Sequence, residues 1–149
     1  MLKKITLSFL LSFIITSLSL AATSPYTNVK DYGATGDGST NDTNAIKSAI
    51  TAAQSRGQTV SEPGVSVRTN GVVYFPSGCY VIDDTLSTSN LSFKGENGAV
   101  LKQTNSQKDI ISMSVWRCNI TGLSFMGGKN QIYLQTNNTD QSRGNYYET

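Results

Sequence analysis

Few side chains in this 149-residue chain could do chemistry, and histidine is not among them. Its absence removes histidine general bases, Ser-His-Asp and Cys-His nucleophile systems, and histidine metal sites. Acid–base work then falls to carboxylates, lysine, tyrosine or cysteine. Asp83-Asp84 is an adjacent carboxylate pair. Cutting a glycosidic bond takes two carboxyl groups of different pKa facing one cleft. Neighbours in a strand point to opposite faces, so these two could converge only at a turn. Placed just after Tyr80-Val81-Ile82, they read as a solvated strand end.

Other candidates are weaker. The glycines of Gly33-Ala34-Thr35-Gly36-Asp37-Gly38 follow no strong strand, and no Gly-Lys-Ser/Thr comes after them, which argues against a phosphate loop. Calcium held by Asp37, Ser39 and Asn41 would need, in an EF-hand, glycine at the sixth position and glutamate at the twelfth. The chain has Asp42 and Ser48 there. Tight turns and a helix cap account for the segment. Tyr74, Tyr80, Trp116 and Tyr133 could offer aromatic faces to sugar C–H patches, although aromatics on strands more often pack in a core. Asn41, Asn90, Asn119 and Asn137 open Asn-X-Ser/Thr sequons, relevant only in a glycosylating pathway. Cys79 and Cys118 could form one disulfide in an exported protein or sit as two buried small hydrophobes, and both readings stay open. A metal site needs more ligands than these two.

The composition sets the background for these residues. Charged residues make up 15%, against roughly a quarter in an average globular protein. Ser, Thr and Asn supply 48 of the 149 residues. A hydrophobic share of 38% with 13 aromatics can build a core, so disorder is disfavoured. The length suits one domain. A formal net charge of +2 leaves no basic footprint for nucleic acid.

The start of the chain reads as a targeting segment. Lys3 and Lys4 are followed by no charge until Lys30, and the apolar run Ile5 to Leu20 closes on Ser19-Leu20-Ala21, small at the −3 and −1 positions. A retained membrane anchor is the alternative, but hydroxyl residues dilute the run and no positive cluster follows it. Residues 1–21 are therefore expected to be a cleaved signal peptide, with the protein secreted or periplasmic and not stably inserted in a membrane. Cleavage would leave ten basic and ten acidic side chains, removing long-range steering towards polyanions.

Three zones must position the candidates. Residues 23–41 are rich in Gly, Asp, Thr and Asn and read as a loop. Residues 42–57 carry a helical stripe of Ala45, Ile46, Ala49, Ile50 and Ala53. Asp42 or Thr43 would cap its first turn, and Gly57 would end it in the left-handed conformation. From residue 71 the pattern becomes that of short strands: Val72–Phe75, Cys79–Ile82, Leu91–Phe93, Val100-Leu101, Ile110–Met113, Val115–Ile120, Leu123–Phe125 and Ile132–Leu134. Leu91-Ser92-Phe93-Lys94-Gly95 and Leu123-Ser124-Phe125-Met126-Gly127 match at four of five positions, 32 residues apart. Such a period suggests a solenoid, whose first coil the helix would cover.

Two segments carry a resemblance. Asn28-Val29-Lys30-Asp31-Tyr32-Gly33-Ala34-Thr35-Gly36-Asp37-Gly38-Ser39-Thr40-Asn41-Asp42-Thr43 leads into the helical stripe, and Val72-Val73-Tyr74-Phe75-Pro76-Ser77-Gly78-Cys79-Tyr80-Val81-Ile82 is followed by Thr85-Leu86. Together they resemble the N-terminal part of the pectate-lyase-like superfamily, in its rhamnogalacturonase/epimerase-like branch. The resemblance implies an all-β, right-handed parallel β-helix with an N-terminal capping α-helix over residues 22–149. It departs from the family at Gln58 to Gly71, which read as an inserted surface loop. Asn138-Thr139-Asp140 is similar to a polygalacturonase tripeptide whose Asp is catalytic. Here no Asp pair lies downstream, so Asp140 receives no role.

The resemblance implies a polysaccharide partner and part of an exported polysaccharide-degrading enzyme of pectin or rhamnogalacturonan type, hydrolase or lyase. The family's catalytic carboxylates normally lie on later coils. The chain is therefore expected to be a fragment or early-terminated product, with its catalytic residues unknown. No cofactor is evident; a lyase would call for calcium. The competing reading is a non-catalytic secreted carbohydrate binder or adhesin.

Overall fold

The computed structural model describes residues 24–62, 65–69, 71–114 and 118–135. The expected targeting segment 1–21, Trp116, Asn137 and Asn138-Thr139-Asp140 lie outside the described residues.

Short polar stretches open the fold. β1 (Tyr26–Asn28) passes into a single 3-10 turn (Val29–Tyr32), then β2 (Asp37–Asn41) and α1 (Thr43–Ser55). The expected loop at 23–41 thus holds two strands. Their composition hides them, because their pairing is set by neighbours far along the chain: β1 on β5 and β2 on β6.

In α1 the stripe Ile46, Ala49, Ile50 and Ala53 is buried, with Ala45 half-buried. Burying each isoleucine stabilises the packed helix by about 1.5–3 kcal/mol, which a helix this short needs. Both ends differ from the expectation. Asp42 is the N-cap residue but makes no side-chain cap bond; Asn41 Oδ1 accepts from the Thr43 amide at 3.0 Å instead. Gly57 is not left-handed: the helix ends through Arg56 at φ −80°, ψ −12°, and runs on into a strand.

That strand is β3 (Gln58–Glu62), paired antiparallel with β4 (Val65–Thr69). The inserted segment is therefore a hairpin with regular backbone pairing, not an irregular loop. Gly71 follows where the chain passes beneath the helix, and a Cβ there would meet the Ala53 carbonyl oxygen at 2.2 Å.

The remaining strands are β5 (Val72–Phe75), β6 (Gly78–Ile82), β7 (Leu86–Ser89), β8 (Ser92–Gln103), β9 (Ile111–Ser114), β10 (Ile120–Gly127) and β11 (Ile132–Gln135). Apart from the hairpin, every pairing between described strands is parallel. β8 pairs with β5 through its first half and with β6 through its second, so the six-stranded sheet β1-β5-β8-β6-β2 curls, with β10 laid along β8. A separate sheet runs β7-β9-β11. The protein is thus mostly β, a curled parallel sheet with one α-helix among the described residues.

The 32-residue repeat does not stack on itself. Leu123-Ser124-Phe125 pairs with Ala99-Val100-Leu101, whereas Phe93 pairs with Ile120. The true offsets are shorter, as in Val72 with Ser92 and Ile111 with Ile132.

The core lies inside the curl. Val73 and Phe93 are in register and buried, and Phe75 meets Tyr80 edge-on at 5.5 Å. In the second sheet Leu86 and Ile111 are fully buried, but Ile132, next in the same register, is 39% exposed. The α1 stripe closes the opposite end, packed with the same core.

Candidate functional site

Alternation along β5 places Val73 and Phe75 inside and leaves Val72 and Tyr74 half-exposed on the outer face. Register then builds a surface across strands. Asn28, Tyr74, Lys94 and Thr121 form one row, and Tyr26, Val72 and Ser92 form the next. Neighbouring strands lie about 4.8 Å apart, so side chains in a row touch. The Tyr26 and Tyr74 rings stack with centroids 5.8 Å apart and 30° between planes. The Lys94 ammonium sits 4.9 Å from the centre of the Tyr26 ring and donates to the Tyr26 hydroxyl at 3.4 Å. Among the described residues no carboxylate pairs with Lys94. Glu96, two positions on, accepts from the Ser77 amide at 3.0 Å. This patch offers apolar ring faces, hydroxyls and one positive charge. It holds no acid–base pair.

A second concavity of about 430 Å³ lies between α1 and the start of β7, lined by Lys47, Ile50, Thr51, Asp84, Thr85 and Lys108 among others. Here the adjacent carboxylates diverge. Asp83 Oδ1 accepts from the Thr43 hydroxyl at 2.9 Å, and that hydroxyl oxygen accepts from the Asp83 amide at 3.0 Å. Asp84 accepts from Lys47 Nζ at 2.6 Å and Lys108 Nζ at 3.1 Å. The Lys47 bond, the Thr85 amide and Lys108 hold the Asp84 carboxyl well below the usual carboxylate range. A general acid needs the opposite shift, so this pair fastens the helix rather than cutting a bond.

The other carboxylates near the N-terminus are also occupied. Asp42 is buried and accepts from the Thr35 amide at 2.7 Å, the Thr35 hydroxyl at 3.1 Å and the Gly36 amide at 3.0 Å. Asp37 accepts from the Thr40 hydroxyl and from the Thr40 and Ser39 amides, which hold its carboxyl far below the ordinary range. Gly36 turns at φ +64° with the Tyr80 ring 2.9 Å from where a Cβ would sit. The 33–38 segment is a turn tied to the helix start. Among the described residues no group of three His, Cys, Asp or Glu side chains could hold a metal ion, so no described cluster fits calcium.

The four aromatic candidates separate. Tyr74 belongs to the outer patch. Tyr80 is fully buried and its hydroxyl donates to the Pro76 carbonyl at 2.8 Å, so it cannot stack on a sugar. Tyr133 is 47% exposed on β11, apart from the patch, and Trp116 lies outside the described residues. Tyr26 and Lys94 escaped sequence reasoning, because only strand register brings them to Tyr74. The sequon residue Asn41 caps α1, Asn90 is left-handed at φ 53°, and Asn119 is exposed. Cys79 and Cys118 are both half-buried thiols. No described helix is long and apolar enough to cross a membrane.

Comparison with known proteins adds four findings. A family model described as rhamnogalacturonase A/epimerase, pectate lyase-like, matches residues 26–146. A protein named non-secreted LysM effector LysM19 of Penicillium expansum is 32% identical over 81% of this chain and 9% of its own length. Alginate lyase 7 of Azotobacter vinelandii is 49% identical over 36% of this chain and 5% of its own length. The chain thus spans less than a tenth of these curated relatives. Among solved structures, ORF18 of Geobacillus virus E2 superposes with a TM-score of 0.53 at 24% identity, covering 73% of this chain and 22% of that one. That likeness is one of fold.

Proposed function

The chain belongs to the rhamnogalacturonase A/epimerase, pectate lyase-like family, and from that premise we propose that it is the N-terminal part of an exported polysaccharide-active protein. The family match over residues 26–146 carries the reading. The parallel registers support a right-handed β-helix, in which β5, β6 and β7 form one coil and later strands stack upon them. In this reading α1 covers the first coil and Lys3 to Ala21 direct export. The activity is hydrolysis or elimination of an acidic polysaccharide of pectic type, carried by carboxylates other than those described above. A lyase would add calcium to neutralise the substrate carboxylate. The second reading is a carbohydrate binder without catalysis. It is favoured by the outer patch, which has groups for holding a sugar and none for cutting one.

One assay separates these outcomes. The protein is mixed with polygalacturonate, rhamnogalacturonan, alginate and a β-1,3-glucan, and binding, new reducing ends and ultraviolet absorbance are followed together. Reducing ends with new absorbance mean elimination, and reducing ends alone mean hydrolysis. Retention on a polysaccharide without products selects the binding reading. Indifference to every polysaccharide overturns the proposal.

A further inference from the structure

We propose that Asn97-Gly98 is a site of spontaneous covalent modification, where the Asn97 carboxamide passes through a cyclic imide to aspartate and isoaspartate. The chain and solvent are the only reactants. The product is a new carboxylate at the corner where β8 leaves β5 for β6.

The corner leaves this dipeptide outside the ladders. β8 pairs with β5 as far as Gly95 and with β6 from Ala99 onward, while β10 passes the corner through a register shift between Thr121 and Leu123. Glu96, Asn97 and Gly98 therefore have no register partner among the described strands, and all three are exposed. No described residue hydrogen-bonds the Asn97 carboxamide, so nothing there holds it away from the amide nitrogen that follows. Gly98 turns at φ +86°, and a Cβ on it would lie 3.0 Å from Ser77 Oγ. Its lack of a side chain keeps the approach to its nitrogen open.

The chemistry needs no catalyst. Hydroxide removes the Gly98 amide proton, and the nitrogen electron pair attacks Asn97 Cγ. The N–Cγ bond forms, the Cγ–Nδ2 bond breaks, and the side-chain nitrogen leaves as ammonia with its added proton from water. Water then opens the imide. Breaking the new N–Cγ bond gives aspartate; breaking the original peptide C–N bond gives isoaspartate, with the chain continuing through the side chain. Either product puts a negative charge beside Glu96, which accepts from the Ser77 amide at 3.0 Å. Ring closure requires the backbone to rotate at the asparagine, which strand pairing resists. A second Asn-Gly, Asn70-Gly71, provides the contrast. Asn70 lies outside the described residues, but Gly71 is clamped. Its carbonyl accepts from the Ser92 amide at 3.2 Å, and the Ala53 carbonyl oxygen leaves no room for a Cβ.

The test incubates the full chain, folded and in urea, at mildly alkaline pH. Isoelectric focusing follows the charge, and mass-spectrometric peptide mapping separates isoaspartate from aspartate. In the folded chain an acidic species is expected to accumulate, faster as pH rises, with conversion at Asn97 several-fold ahead of Asn70. In urea the two sites should convert at similar rates. Asn97→Gln should lose most of the acidic species, because the longer side chain closes a less favourable ring. Isoaspartate at position 97 marks the cyclic route, and aspartate alone would overturn it. The proposal also falls if Asn97 stays intact in the folded chain while both sites convert in urea. Equal conversion of Asn70 and Asn97 without urea would sink it too, since the corner would then confer nothing.

Discussion

Asp84 accepts from two ammonium groups, and the Lys47 bond does most to hold its carboxyl low. Because the folded pKa lies below the unfolded value of about 3.9, this contribution is complete above that value and is lost as pH falls through the folded pKa. Both partners are about half exposed, so the pair contributes only about 1 kcal/mol. Asp84→Asn is expected to lower Tm by roughly 3–5 °C at neutral pH, with the gap closing in melts below about pH 4. Tyr80 shifts the other way: burial, then the Asp42 charge, push its hydroxyl up to about 12. Its stabilisation is full below the unfolded value of about 10 and lost as pH rises through 12. A spectrophotometric titration should show one tyrosine ionising late, and Tyr80→Phe should remove that phase and cost about 1 kcal/mol through the orphaned Pro76 carbonyl. At this scale the sequence showed which groups exist but not what they face. Tyr74 stood out as an aromatic on a strand. Lys94 and Tyr26 did not, because their meeting depends on pairings between β1, β5 and β8 that no local pattern reports.

The elements divide by how much of their reason is local. α1, β5 and β6 were readable because their apolar residues recur at helical or strand spacing and face the core directly. β2, with Asp37-Gly38-Ser39-Thr40-Asn41, and β7, with Leu86-Ser87-Thr88-Ser89, are polar in sequence and become strands only because β6 and β9 present an edge to them. The hairpin at 58–69 was missed for a related reason: its turn signals were visible, but its pairing partner is itself. The contact between α1 and the chain entering β5 yields a sharp expectation. A Cβ at Gly71 would lie 2.2 Å from the Ala53 carbonyl oxygen, and neither backbone can retreat without moving the helix. Gly71→Ala should therefore destabilise by about 2–3 kcal/mol, measured as a lower urea midpoint with an unchanged slope.

Across the whole molecule, protection from solvent is uneven. β8 has β5 and β6 along one side and β10 along the other, whereas all four residues of β11 are exposed. Hydrogen exchange should accordingly be slowest in β8 and fastest in β11, since exposed strands open locally at low cost. Uniform exchange across all strands would contradict this layered picture. The family and the predominance of β structure were legible from two motifs, but the period of stacking was not. The matching Leu-Ser-Phe segments lie in one sheet but out of register, since Leu123 pairs with Ala99 and Phe93 with Ile120.

The fastening of α1 also sets an order in time. The helix is held by Asp83 and Asp84, 40 and 37 positions beyond Thr43 and Lys47, and its start is bonded to the Val81 carbonyl. Thirteen residues of helix are marginal alone. A chain emerging from the ribosome N-terminus first therefore lacks these fastenings until residues 81–84 have appeared. Once they arrive, the ties to Thr43, Lys47 and the helix start can form together.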